Sequence, residues 1–131
     1  MTDRYQELKQ LTLDFLDAFN RNDLDAVMAF FTEDAVYEEL HGPVHAGRAA
    51  IRSAFEPQFA GKFGPMRFVE DDTFIDGASG KIMSSWDLET VKDGAPVVLR
   101  GLDLLHFVGD KLVRKQTYVK AKAPPYAKRA G

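Results

Sequence analysis

Residues 81–107, KIMSSWDLETVKDGAPVVLRGLDLLHF, hold two long β-rich runs, 81–92 and 96–107, on either side of a Lys92-Asp93-Gly94-Ala95 separator. An Asp-Gly pair between two such runs is a hairpin signal. A two-residue loop sets Lys92 opposite Ala95, and counting back sets Leu88 opposite Leu99, Trp86 opposite Gly101 and Ser84 opposite Asp103. These residues share one face of the hairpin. The other face carries Asp87 across from Arg100, together with Leu102, Leu104 and His106. Both faces are mostly apolar, so both are expected to be covered, one by helices and the outer one by a second copy of the chain.

Working outward, residues 66–76 and 111–120 read as two further strands, marked off by the separators DGASG and VGD. The four runs form an antiparallel meander. The first half has helical spacing instead. Tyr5, Leu8, Leu11, Phe15, Leu16 and Phe19 recur three and four residues apart over 3–20, with Thr2 or Asp3 as N-cap. Asp23 caps a shorter helix that buries Leu24, Val27, Met28 and Phe31. A short strand follows over 35–39. Gly47 then leads into a third helix with Ile51, Phe55 and Phe59 on one face, which Pro57 should kink or end. Three N-terminal helices packed on a curved antiparallel sheet is an α+β architecture.

The chain has 131 residues, one domain over 1–131 with a short basic C-terminal tail at 121–131. A body of this size buries about two thirds of its surface, so its core needs no staple. Without cysteine there is no disulfide, thiolate metal site or cysteine nucleophile. No apolar run approaches the roughly 18 residues of a membrane span and no secretory h-region is visible, which predicts a cytoplasmic protein that engages no membrane. The net charge of -3 is uneven: residues 111–131 hold seven basic side chains and no acid. A basic end could contact nucleic acid. Here KLVRKQTYVKA alternates like a strand, so the charge is read as a solvated strand face plus tail, with no nucleic-acid partner expected.

Asp103 stands out as an acid at the centre of Leu102-Asp103-Leu104-Leu105. It is either buried and hydrogen-bonded or turned to water by a bulge, and burial without a partner would raise its pKa. Trp86 opposite Gly101 is a large-small pair, either a ligand wall or plain core. Lys115 or Arg114 faces inward depending on a bulge in the VGD hairpin. An inward cation near Asp103 would ionise it.

The stretches FLDAFNRNDLDAVMAFFTEDAVYEELHGPVHAGRAAIRSAF and RGLDLLHFVGDKLVRKQTYV resemble the NTF2-like superfamily, in particular its SnoaL-like polyketide cyclase and ketosteroid isomerase branch. The resemblance spans residues 5–120 and implies an NTF2-like (cystatin-like) cone, a deep pocket between sheet and helices, and a homodimer. It places the isomerase's general base on Glu39 and its enolate hydrogen-bond donor on Asp103, while the oxyanion-hole tyrosine falls on Phe15, which cannot donate. Tyr37 is a candidate replacement. A carboxylate that takes the proton beside a protonated carboxyl that steadies the oxyanion is coherent chemistry. In the cyclase branch a single pocket Asp serves as acid and base, a role for Asp103. The epoxide hydrolase branch needs an Arg-x-Asp pair on one strand face, which Arg100 and Asp103, three apart, do not form.

The expected catalytic set is therefore Glu39, Asp103 and Tyr37. The expected ligand-binding set is Phe15, Leu16, Phe55, Ser84, Trp86, Leu88, Leu99 and Leu105. The partner is a hydrophobic, carbonyl-bearing small molecule, and no cofactor is needed. The alternative is a non-catalytic ligand-binding or dimerisation module. His41 and His45 are four apart but separated by Gly42-Pro43, so they make no helical metal pair, and no metal site is expected.

Overall fold

The structure, a computed structural model, describes residues 3–123 and 126. The chain runs α1 (Arg4–Asn20), α2 (Leu24–Met28), β1 (Phe31–Glu38), β2 (Val44–Ala46), α3 (Arg48–Phe59), β3 (Arg67–Asp76), β4 (Lys81–Lys92), β5 (Ala95–Val108) and β6 (Lys111–Val119). One six-stranded sheet has the order β2-β1-β6-β5-β4-β3. The basic tail expected over 121–131 falls largely on residues 124, 125 and 127–131, outside the described residues.

The β4–β5 hairpin has the expected register, with Lys92 opposite Ala95, Trp86 opposite Gly101 and Ser84 opposite Asp103. Asp93 and Gly94 both have positive φ, 52° and 76°, as the tight turn demands. Arg100 and Asp87 meet at 3.7 Å across the outer face, but Arg100 is 72% exposed, so the pair adds little. In the last hairpin the ladder shifts between His106 and Phe107. That bulge decides the face of β6, and it turns Lys115 inward.

Local chemistry sets the helix ends. Asp3 Oδ1 accepts from the Tyr5 N–H at 3.0 Å, and Asp23 Oδ1 from the Ala26 N–H at 3.0 Å. The Asn20 amide at the end of α1 gives Nδ2–H to the Phe68 carbonyl and takes the Phe68 N–H, both at 2.8 Å. One side chain thus pins α1 to β3. Between helices and sheet the aromatic rings interlock edge to face, Phe15 with Phe19, Phe30 and Phe31, and Phe19 with Phe55 and Phe68.

Four details correct the sequence-based expectations. The helices do not form an uninterrupted N-terminal run: two are long, α2 has five residues, and β1 and β2 precede α3. Phe31, expected on the second helix, opens β1, because α2 closes after a single turn. Pro57 lies inside α3, which continues to Phe59, and the Pro57 carbonyl still accepts from the Lys62 N–H at 3.0 Å. The sheet is not wholly antiparallel, since β1 pairs with β6 in parallel, with Tyr37 opposite Lys115. The meander left that edge of β6 open, and the strand arriving from the helical half closes it in the same direction. Among the described residues no helix is long and apolar enough to cross a membrane.

Candidate functional site

Strand alternation gathers a single group of side chains on the inner face: Ser84 and Trp86 from β4, Asp103 and Leu105 from β5, Lys115 and Thr117 from β6, and Tyr37 from β1. Phe15, Leu16 and Phe19 of α1 and Phe55 of α3 face them. Between the two layers lies a cavity of about 70 Å³, with Thr12, Leu40, Gln58, Met66, Phe68 and Leu88 completing its wall. A cavity of this size admits a few waters or a compact molecule. It is well below the roughly 300 Å³ of an ordinary drug-sized site, so a larger guest must widen it.

The floor is a closed polar network in an aromatic shell. Asp103 Oδ1 accepts from Lys115 Nζ at 3.0 Å and from Thr117 Oγ1 at 2.7 Å, while its Oδ2 accepts from Trp86 Nε1 at 3.2 Å. Lys115 also donates to Thr117 Oγ1 at 2.7 Å, and its ammonium lies 4.6 Å from the centre of the Tyr37 ring. Burial pushes the Lys115 amine down, but the Asp103 charge, Tyr37 and the hydrogen bond to Asp103 outweigh it, so its pKa is raised and the lysine stays charged. Burial pushes the Tyr37 phenol up; the Lys115 charge opposes this, and Asp103 and Glu39 reinforce it. Gly101 makes the arrangement possible. A Cβ there would lie 2.5 Å from Trp86 Cη2 and 2.7 Å from the Tyr118 carbonyl oxygen, so only glycine lets the indole lie across β5 and reach Asp103.

A family model described as the SnoaL-like domain matches residues 12–115, most of the chain and nearly all of this cavity. The chain belongs to the SnoaL-like family. Among solved structures, this SnoaL-like chain is similar to a candidate polyketide cyclase from Xanthomonas campestris pv. campestris, with 22% identity, 88% of this chain and 92% of that one covered, and a TM-score of 0.77. It is similar to the epoxide hydrolase/cyclase-like enzyme SalBIII of pyran ring formation in salinomycin, with 19% identity, 88% and 92% covered, and a TM-score of 0.77. TerC, crystallised with polyporic acid, shares 15% identity over 87% and 92%, with a TM-score of 0.72. At these identities the likeness carries the NTF2-like fold and nothing finer. No curated protein matches the sequence.

The SnoaL-like chain brings together most of the residues named from its sequence. Phe15, Leu16, Tyr37, Phe55, Ser84, Trp86, Leu88, Asp103 and Leu105 all line the cavity. Leu99 does not; it sits opposite Leu88, half-buried, further along β5. Glu39 does not line it either, and the expected convergence of Glu39 with Asp103 is absent. β1 ends at Glu38, and beyond it the Glu39 N–H gives to the Pro43 carbonyl at 3.0 Å while the Gly42 N–H gives to the Glu39 carbonyl at 2.9 Å, so Glu39 sits in the turn past the lining residues. Its Oε2 lies 2.7 Å from His45 Nε2 at the rim. The role expected of Asp103 as a neutral donor also fails on geometry, because three donors point at its two oxygens and leave it an acceptor. The sequence alone does not decide Lys115, since one residue of slip swaps the face. Thr117 and the rim residues Gln58 and Met66 carry no local signal. Among the described residues no cluster of three or more His, Cys, Asp or Glu side chains could hold a metal ion.

Proposed function

We propose that this protein binds a compact, mostly apolar small molecule between α1, α3 and the sheet, and that Asp103 acts on it as hydrogen-bond acceptor and base. The observation that carries this reading is the Lys115–Asp103–Thr117 network, buried yet bordering a cavity rather than packed solid. A buried ion pair is weak evidence for stability, whereas perturbed charges in a cleft mark functional sites. Acid/base chemistry of the isomerase or cyclase kind on an enolisable carbonyl compound would then run through Asp103, with the Tyr37 hydroxyl beside the developing oxyanion. Glu39 stays at the rim with His45 and takes no part. No cofactor enters the scheme.

The test is deuterium exchange at the α-carbon of acetophenone and 2-indanone, followed by NMR. Asp103→Asn should slow protein-dependent exchange by about 10²-fold or more, and Glu39→Gln should leave it where it was. Exchange that survives Asp103→Asn removes the base role. Ketones that bind without any exchange favour the second reading, a non-catalytic binder in which the same network orients the guest.

The outer sheet face is proposed as a homodimer interface. Phe74 is 67% exposed there, and it borders a concavity of about 430 Å³ shared with Met83, Leu104, His106 and Arg114. Sedimentation of wild type and Phe74→Glu decides the matter: a dimer that the substitution converts to monomer supports it, and a wild-type monomer at high concentration ends it.

A further inference from the structure

We infer that the cavity selects an uncharged guest that brings a hydrogen-bond donor, a hydroxyl on a flat apolar frame, and that Asp103 Oδ2 is the atom that receives it; this rests on the cavity being a ligand site. The polar capacity left over at the floor is that of an acceptor. Asp103 Oδ1 is filled by Lys115 and Thr117, but Oδ2 has only the Trp86 N–H, at 3.2 Å, and a carboxylate oxygen takes about two donors. The Asp103 side chain is also the more accessible member of the pair, 12% against 6% for Lys115. The ammonium, by contrast, already gives to Asp103 and Thr117 and rests against the Tyr37 ring. Ser84, directly across from Asp103, is buried and lines the same cavity, so its hydroxyl can meet the same guest oxygen.

Charge narrows the class further. Lys115 and Asp103 sum to zero, so an anion would leave water for an aromatic shell and meet the Asp103 carboxylate with no spare cation. A cation would have to displace Lys115 from its partner. A neutral hydroxyl does neither, and its bond to a carboxylate is charge-assisted. The rings of Phe15, Phe19, Phe68 and Trp86 supply walls for a flat frame, and since about 70 Å³ is less than the roughly 150 Å³ of a cavity that takes benzene, a ring enters by widening the mouth. A phenol fits this description, and a carbonyl compound meets it as its enol.

Trp86 is the sole tryptophan and donates to the receiving carboxylate, so its emission reports directly on the site. Wild-type protein is titrated with phenol, anisole, toluene and benzoate. Phenol is expected to bind about tenfold or more tighter than anisole and toluene, with benzoate weakest. In the paired Asp103→Leu, Lys115→Met variant, which removes both charges together, phenol should fall to the level of anisole. Equal affinity for phenol and anisole in the wild type, a phenol preference that survives the paired variant, or benzoate binding tightest each overturns the inference while leaving the cavity as a ligand site. Failure of all four probes, toluene included, instead overturns the ligand site itself. If the paired variant does not fold, the wild-type ranking decides alone.

Discussion

Replacing Gly101 by alanine should disturb the floor of the cavity without substituting any member of its polar network. A Cβ at this position would come within 2.5 Å of Trp86 Cη2, 2.8 Å of Cζ3 and 2.7 Å of the Tyr118 carbonyl oxygen. The carbonyl belongs to β6 and cannot retreat without loosening the ladder to β5, so the indole must yield. Forcing a methyl group into a filled site and tilting Trp86 Nε1 away from Asp103 together cost about 3–5 kcal/mol. That corresponds to a fall in Tm of roughly 10–20 °C for a domain of this size. Urea unfolding followed by Trp86 emission measures it, and the native spectrum should shift as the ring leaves its slot. A double-mutant cycle assigns the cause: in a Trp86→Phe background, followed by circular dichroism, the same substitution should cost clearly less because the shorter ring clears the new methyl. A Gly101→Ala protein within about 0.5 kcal/mol of wild type, with its emission unmoved, would refute the close-approach argument.

Lys115→Met and Asp103→Asn each leave one buried charge without its partner and should each destabilise by about 3–5 kcal/mol, whereas removing both charges should cost far less than the sum, as denaturant midpoints will reveal. Alkaline pH should have a definite effect: the raised pKa values of Lys115 and Tyr37 give stability that is complete below their ordinary values of 10.5 and 10.0 and is lost as pH climbs through the folded-state values. A thermal melt series should therefore show Tm falling above pH 10.0, and Tyr37→Phe should flatten part of that slope. At the rim, the Glu39 and His45 side chains are 26% and 25% accessible, so Glu39→Gln should change stability by about 0–1 kcal/mol and leave phenol affinity intact; a large loss of binding would return Glu39 to the site.

What the residues disclosed follows from periodicity. Apolar positions three and four apart gave α1 and the buried face of α3, and Asp93-Gly94 fixed the β4–β5 register to the residue, because a two-residue turn permits only one count. From that register came Ser84, Trp86 and Asp103 on one face. Where a reading depended on the end of an element or on an extra residue in a strand, periodicity was silent. Glu39 follows Tyr37 by two, but it lies past the end of β1 at Glu38, and its carboxylate meets His45 instead of the cavity. Lys115 points inward because of one bulge, and the alternation of KLVRKQTYV reads equally well in either register. The parallel pairing of β1 with β6 joins segments far apart in sequence, which no local pattern encodes.

That last pairing has a consequence for how the molecule comes to be. β6 lies between β1 and β5, and its contact with β1 spans 78 residues of chain, as in the Glu38–Gln116 hydrogen bond. Until residues 111–119 arrive, the hairpins β1–β2 and β3–β4–β5 are two fragments with open edges, and Asp103 has neither Lys115 nor Thr117 beside it. The cavity is thus assembled by the final strand of the sheet, and closing so long a loop is slow compared with forming the local hairpins. A guest bound at the finished floor would have no counterpart in the fragments, so by mass action it would draw the population toward complete molecules.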